Sequence, residues 1–256
     1  MKDGRPRLAL YGLAGIKLVE PGDDLGAIAA EALAANGLAL EEGDVLVVAQ
    51  KIVSKAEGRV IDLASLTPSP RAQELGLRLD KDPRLVEVVL SQSRRIVRER
   101  PGLMIVEHRL GFVMANAGVD HSNVAGAEER VLPLPEDPDR SARALQEHLA
   151  RIFGCRFAVI ISDSFGRPHR RGIVGVAIGA AGLPALLDQR GRPDLFGRPL
   201  KVTETAFADE IAAAASLVMG QADEGLPMVL VRGLSWSAEE SPAAALVRPP
   251  EHDLFR

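Results

Sequence analysis

The stretch "ISDSFGRPHRRG" (residues 161–172) combines one carboxylate with hydroxyl groups, glycines and three arginines. The apolar run "FAVI" before it predicts a buried strand that delivers Asp163 to the strand's carboxyl end, where α/β sheets open their clefts. Together with Ser164, Asp163 offers hard oxygen ligands suited to Mg²⁺ or Mn²⁺. Arg167 and Arg170 offer planar donors for phosphate or carboxylate. The alternative is an ordinary turn with solvated arginines.

A second acidic loop, "NAGVDHSNVAG" (residues 116–126), follows the apolar stretch "GFVMA". Asp120 is the only acid of this loop and lies between glycines, and Asp163 is likewise the only acid of its own stretch. His121 alone is more typical of a surface histidine than of a metal ligand. Two such loops can bring two carboxylates to one cation or to a pair of cations.

The segment "AQKIVSKAEGR" (residues 49–59) is basic and follows the apolar run "DVLVV". Lys51, Lys55 and Arg59 surround the hydroxyl of Ser54, and cations with a hydroxyl at a strand end can bind phosphate. The segment is therefore a candidate phosphate loop, although a solvated basic turn explains the same residues.

The composition limits the class of protein. A formal net charge of −4 argues against a nucleic-acid binder, which would more often be basic. Cys155 is the only cysteine, which excludes an intrachain disulfide and a multi-cysteine zinc site. No apolar stretch approaches the length of a membrane span, and the first residues do not form a signal-peptide pattern. We therefore expect a cytoplasmic protein with neither nucleic acid nor membrane as a partner.

Short β-branched runs alternate with helical patterns along the chain. The runs are apolar on both faces and predict strands buried in a layered sheet at residues 44–50, 102–107, 157–162 and 227–233. Helices are predicted at residues 22–37, 83–97, 141–154 (with Ser141 as the N-cap) and 208–220.

Two proline-rich stretches, residues 65–71 and 132–140, predict surface connections. The second favours a subdomain boundary near 131–140 within a single domain that covers residues 1–256. The glycine-rich run "GIVGVAIGAAG" (residues 172–182) matches neither a dinucleotide fingerprint nor a P-loop, so close backbone packing is the simpler interpretation.

Several motifs in one order resemble the coenzyme F420-0:L-glutamate ligase family, also called F420:gamma-glutamyl ligases. They are "PGDDL", "KIVSKAEGR", "RLGFVMANAGVDHSNV", "DSFGRPHRRG", "VTETAFADEIAAAA" and "LVRG". The resemblance implies a homodimer with a distinctive α+β fold of mixed β-sheet layers and flanking helices. It also implies the attachment of L-glutamate to F420-0 (or its dehydro form) and then of gamma-linked glutamates. GTP is the implied co-substrate, with Mg²⁺ or Mn²⁺ (two ions) and K⁺. We expect no C-terminal flavin domain.

The resemblance also implies roles for individual residues. The implied metal ligands are Asp120, Asp163, Ser164 and, for a second ion, Gln221. The implied GTP-contacting residues are Leu13, Ala14, Gly15, Ile16, Gln50, Lys55, Asn123 and Gln221. The catalytic candidates are Lys55, Arg167 and Arg170. The chain departs from the family pattern at Ala14, at His169 in an aromatic position and at Gln50, where a small hydroxyl residue is common.

This chemistry agrees with the residues. A carboxylate is a poor electrophile, so amide formation requires that it first be phosphorylated, and metal ions with Lys or Arg stabilise the charge of that transfer. We therefore expect an acyl-phosphate intermediate. A metal-dependent phosphohydrolase and a non-catalytic nucleotide-binding protein are the alternatives, since acidic loops, arginines and a cation would suit either.

Overall fold

The chain folds into α-helices and short β-strands, which the computed structural model describes for residues 7–122 and 129–254. The strands are β1 (Ala9–Gly12), β2 (Val45–Ala49), β3 (Ile61–Asp62), β4 (Ser93–Arg100), β5 (Leu103–His108), β6 (Val113–Ala115), β7 (Arg130–Val131), β8 (Ala158–Arg167), β9 (Arg170–Ala181), β10 (Leu187–Asp188), β11 (Glu204–Thr205) and β12 (Met228–Arg232). The α-helices are α1 (Leu25–Ala35), α2 (Gln50–Ala56), α3 (Pro70–Leu79), α4 (Pro83–Ser91), α5 (Pro138–Phe153) and α6 (Phe207–Met219). The predicted α+β class with mixed sheets is confirmed. Within the described residues, no helix is both long and apolar enough to cross a membrane.

The largest sheet has five strands in the order β1–β12–β2–β8–β9. The β2 and β8 strands pair in parallel, and β12 is antiparallel to both of its neighbours, β1 and β2. It follows that β1, β2 and β8 run in one direction and that their carboxyl ends lie at one edge of the sheet. The β12 strand begins at that same edge.

Both faces of this sheet are buried, as the apolar runs predict. Alternate side chains of the central strands, among them Leu46, Val48, Val159 and Ile161, enter a core that they share with α1 and α5. The intervening side chains, among them Val45, Val47, Ala158 and Ile160, enter a second core against α6. Each fully buried Val, Leu or Ile contributes about 1.5–3 kcal/mol to the stability of this layered arrangement.

The glycines of β9 allow helices on both faces to approach the strand closely. A Cβ atom at Gly175 would lie 2.4 Å from the carbonyl oxygen of Ala212 in α6. A Cβ atom at Gly179 would lie 2.2 Å from the carbonyl oxygen of Pro138 in α5. Close backbone packing is thus confirmed as the reason for the glycine-rich run.

A second unit is inserted between α2 and α5. Its sheet has the order β4–β5–β6, and its own core includes Leu75 and Leu79 of α3, Val86 and Val89 of α4, and Met104. The β3–β7 pair closes this insertion, after which residues 132–137 lead back to α5. The division of the chain into subdomains near 131–140 stays a prediction.

Some predicted boundaries of helices and connections are wrong. The helix predicted at 83–97 ends at Ser91, because the hydroxyls of Ser91 and Ser93 donate to the carbonyl oxygens of Val88 and Val89 and so satisfy the helix end. The residues that follow form β4. The proline-rich stretch 65–71 contains the start of α3 as well as a connection, because the hydroxyl of Ser69 accepts a hydrogen bond from the backbone NH of Ala72.

The N-cap of α5 also differs from the prediction. Asp137 caps this helix by accepting a hydrogen bond from the NH of Arg140 at 3.0 Å, and Pro138 occupies the first turn. Ser141 lies inside the helix, where its hydroxyl donates to Glu57 Oε1 at 2.6 Å. An aspartate four residues earlier therefore takes the capping role.

Candidate active site

Predicted site segments meet at one edge of the five-stranded sheet. They do so because β1 and β2 end there, β8 leaves its pairing with β2 there, and β12 begins there. The segments are Leu13 to Ile16 after β1, Gln50 after β2, Asp163 in β8 beyond its pairing with β2, and the stretch from Gln221 that leads into β12. The topology therefore supplies a common location for segments that are far apart in the sequence.

Two carboxylates occupy this edge and influence each other. A β-bridge to Leu132 holds Asp120, with hydrogen bonds of 3.0 and 2.9 Å between the two backbones. Burial, and then the neighbouring Asp120 carboxylate, raise the pKa of Asp163 to about 7. Burial also raises the pKa of Asp120, against the opposing effect of Lys51. Two partly desolvated acids that repel each other would be stabilised by a divalent cation between them.

The sequence predicts that the strand carrying Asp163 ends near this residue. This prediction is wrong. The β8 strand continues to Arg167 and pairs with β9 as a hairpin that extends beyond the end of β2. Successive side chains of a strand point to opposite faces. Asp163 and Ser164 therefore point away from each other.

Ser164 is paired with Gln221. The Ser164 hydroxyl donates to Gln221 Oε1 at 2.8 Å, while Asp163 faces the side of Asp120 and Lys51. The predicted ligands are thus brought together as two pairs, one on each face of β8. Among the residues that the structure describes, no group of three His, Cys, Asp or Glu side chains could hold a metal ion.

The predicted phosphate loop is largely a helix, and its first lysine, Lys51, contacts Asp120. Residues 50–56 form α2. Lys51 Nζ lies 3.4 Å from Asp120 Oδ2 and donates to the hydroxyl of Ser122 at 2.6 Å. Lys55 lies one helical turn further on, and burial together with the charge of Lys51 lowers its pKa. The four-residue spacing of the two lysines places them on one face of α2.

The loop after β1 presents backbone groups at the same edge. Leu13 is fully buried, and its NH donates to the carbonyl oxygen of Met228 at 2.9 Å. Asn36 fixes the next residue, because its Nδ2 donates to the Ala14 carbonyl oxygen at 3.0 Å and its Oδ1 accepts from the Ala14 NH at 3.3 Å. Gly15 is exposed with φ of 81°, a conformation that glycine adopts easily. Sequence reasoning missed Asn36, which lies just beyond α1.

The predicted arginines lie at the tip of the β8–β9 hairpin. Arg167 and Arg170 are paired across its turn, in which His169 has φ of 62°. At the rise of a β-strand, Arg167 is about 13 Å along the backbone from Asp163. Both arginines lie near the edge of the site, and their assignment as catalytic residues stays a prediction.

A further predicted residue, Arg59, lies outside this cluster. Arg59 Nε donates to the Leu134 carbonyl oxygen at 3.0 Å and Arg59 Nη2 donates to Gln92 Oε1 at 3.1 Å, so Arg59 joins the inserted unit to the rest of the chain and does not belong to a phosphate loop. Asn123 lies outside the described residues.

Comparison with known proteins identifies the family. The family model described as F420-0:Gamma-glutamyl ligase matches residues 15–233. A protein of Methanopyrus kandleri named coenzyme F420:L-glutamate ligase is 51% identical over 99% of this chain and 99% of its own length. Proteins of the same name from Methanothermobacter thermautotrophicus and Archaeoglobus fulgidus are 48% and 42% identical over 97% and 98% of this chain and 99% and 97% of their own lengths. The chain therefore belongs to the F420-0:gamma-glutamyl ligase family.

Proposed function

We propose that this chain is a GTP-dependent ligase of coenzyme F420 biosynthesis, which joins L-glutamate to coenzyme F420-0 and then adds gamma-linked glutamate. The observation that carries the proposal is the meeting of Asp120 and Asp163 with Lys51 and Lys55 at one sheet edge. The names of the full-length relatives support the substrates. GTP is proposed on the family resemblance, and the phosphorylation step is proposed on the chemistry of this site.

The donor set fits a hard divalent cation such as Mg²⁺ or Mn²⁺. Asp120 and Asp163 would hold one ion. The raised pKa of Asp163 reflects its burial and its repulsion by the Asp120 carboxylate, both of which a bound cation would offset. Ser164 Oγ and Gln221 Oε1 would serve a second ion from the other face of β8. Bound there, the ions would neutralise charge on the phosphoryl oxygens of the nucleotide. The K⁺ ion is proposed on the family resemblance alone.

The protein's own groups have separable tasks in this proposal. The lysines of α2 approach the phosphates, where their charge matters most as negative charge develops on the transferred group. The backbone from Leu13 to Ile16, together with Asn123, contacts the nucleotide. Arg167 and Arg170 attract the anionic substrate from the hairpin tip. The chain is proposed to work as a homodimer, which light scattering at several concentrations would test.

One incubation tests the reaction class. The protein is mixed with GTP, Mn²⁺, L-glutamate and F420-0, or the dehydro form of F420-0, and the products are examined by mass spectrometry together with a phosphate assay. We expect a product heavier by one glutamate and one phosphate released per bond. Phosphate release without glutamate addition would indicate the phosphohydrolase instead. A protein that forms neither product would be a nucleotide-binding protein, and the proposal would be wrong.

A further inference from the structure

The surroundings of Gln50 do not agree with its expected role as a residue that contacts GTP. It follows β2 directly, begins α2 and is only 1% exposed. Its Oε1 accepts a hydrogen bond from the hydroxyl of Ser54 at 3.1 Å, and its Nε2 donates to Asp120 Oδ2 at 3.3 Å. Both ends of the amide are therefore used inside the protein, and a buried side chain is poorly placed to contact a nucleotide.

The two contacts of Gln50 fix the orientation of its amide. Ser54 is fully buried one helical turn later, so its hydroxyl can reach the Gln50 oxygen. The opposite amide orientation would bring the Gln50 oxygen against the Asp120 carboxylate, where two acceptors would repel. The hydroxyl of Ser54 therefore directs the NH₂ group of Gln50 towards Asp120.

The result is a constraint on one oxygen of Asp120. Lys51 Nζ contacts the same Oδ2 at 3.4 Å, so adjacent residues of α2 supply both donors. Because both donors hold Oδ2, Oδ1 is the Asp120 oxygen that would ligate a cation. The neutral amide orients the carboxylate without cancelling its charge.

We infer that Gln50 is a positioning residue, which holds the Asp120 carboxylate in the rotamer that serves the cation and is itself held by Ser54. The inference rests on the proposed function, because it needs a divalent cation at Asp120 and Asp163. It replaces the expectation that Gln50 contacts the nucleotide. Partners of metal-ligating groups commonly change metal affinity about 10–100-fold when they are removed.

The first arm of the experiment observes the chain of contacts without metal. The side-chain NH₂ signals of Gln50 are assigned in a ¹H–¹⁵N spectrum by their disappearance in Gln50→Leu. Ser54→Ala and Asp120→Asn should each shift these signals, because each removes one partner of the amide. Chemical shifts of the Gln50 NH₂ group that are unchanged in both variants would overturn the inference.

The second arm measures the affinity for Mn²⁺ alone, by the electron paramagnetic resonance signal of the free ion. Gln50→Leu keeps a buried side chain of similar size and should weaken Mn²⁺ binding about tenfold. Ser54→Ala should weaken it by a smaller factor, although Ser54 does not touch the carboxylate. The matched control is Val53→Ala, which opens space in the core on the same helix and should lower the melting temperature while leaving Mn²⁺ affinity unchanged.

The two possible failures are distinguishable. Tight Mn²⁺ binding that is the same in the wild-type, Gln50→Leu and Ser54→Ala proteins would overturn the positioning role and leave the proposed function standing. A wild-type protein that binds no Mn²⁺ would overturn the metal assignment of the proposed function, and the positioning role with it.

Discussion

Lys51 Nζ lies 3.4 Å from Asp120 Oδ2, and its charge also opposes the rise in the pKa of Asp163. One ammonium group of α2 therefore acts on both carboxylates of the site. Because the side chains of Lys51 and Asp120 are 28% and 31% exposed, their attraction is screened less than that of a surface pair.

Replacement of Lys51 should destabilise the metal-free protein. Lys51→Met removes the donor to a partly buried carboxylate and should lower the free energy of unfolding by about 1–3 kcal/mol. Lys51→Arg, which keeps the charge, should retain most of the stability. Lys17→Ala is the control, since Lys17 pairs with Asp23 on an exposed surface and its loss should have no measurable effect. Urea unfolding in the presence of a chelator measures all three, and a fully stable Lys51→Met protein would contradict the pairing.

Replacement of either site carboxylate should separate activity from stability. Asp163→Asn and Asp120→Asn each exchange a charged oxygen ligand for an amide, and each should lower the ligase rate by about 100-fold or more. In the absence of metal, Asp163→Asn should be at least as stable as the wild type, because it removes a buried charge that repels Asp120. Activity assays and thermal unfolding give the two readouts. A variant that keeps most of its activity at low Mn²⁺ concentration would exclude that residue from the metal site.

His108 should make the stability depend on pH. It is fully buried, and burial together with Arg109, Arg59 and Arg94 lowers its pKa to about 4. As the pH falls below about 6.5, His108 binds a proton in the unfolded chain but not in the folded protein, so the free energy of unfolding decreases. Below about pH 4 both states are protonated, and this group no longer changes the stability. The contribution at stake is about 3 kcal/mol.

Two measurements test this pH dependence. The slope of unfolding free energy between pH 6.5 and 4 should be smaller in His108→Gln than in the wild type. An NMR titration of wild-type His108 should show a neutral ring at pH 5. A midpoint near the ordinary histidine value would contradict the prediction.

A methyl group should be tolerated less well at a glycine of β9 than at a glycine of the neighbouring strand β8. Gly179→Ala would force a Cβ atom against the backbone of Pro138 and should destabilise the protein by about 1–3 kcal/mol. Gly166→Ala in β8 is the control, because nothing lies within 4 Å of the added atom. Equal melting temperatures for the two variants would show that α5 can move away from β9.

The sequence predicts the four apolar strands well, because a strand buried on both faces leaves a local signal of β-branched and apolar residues. It predicts the partners of Asp163 poorly, since the alternation of β8 separates Asp163 from Ser164 only when the strand is known to continue. Likewise, the roles of Gln50, Lys51 and Asn36 depend on contacts between residues far apart in the sequence, namely those with Asp120 and Ala14. Helix ends depend on single competing hydrogen bonds, so the sequence pattern favours Ser141 as the cap of α5 although Asp137 provides it.

The order of the chemical steps gives the most direct test of the mechanism. We expect the carboxylate oxygen of F420-0 to attack the γ-phosphorus of GTP with release of GDP, after which the amine of glutamate attacks the acyl carbon and phosphate leaves. That phosphate carries the oxygen that bridged carbon and phosphorus, so ¹⁸O in the F420-0 carboxylate should appear in the released phosphate. Lys55→Ala should slow this transfer more than it weakens glutamate binding, because the Lys55 charge acts where negative charge develops. Lys201→Ala, an exposed lysine on the segment between β10 and β11, is the matched control and should change neither quantity. Unlabelled phosphate formed together with normal amide product would exclude the acyl phosphate.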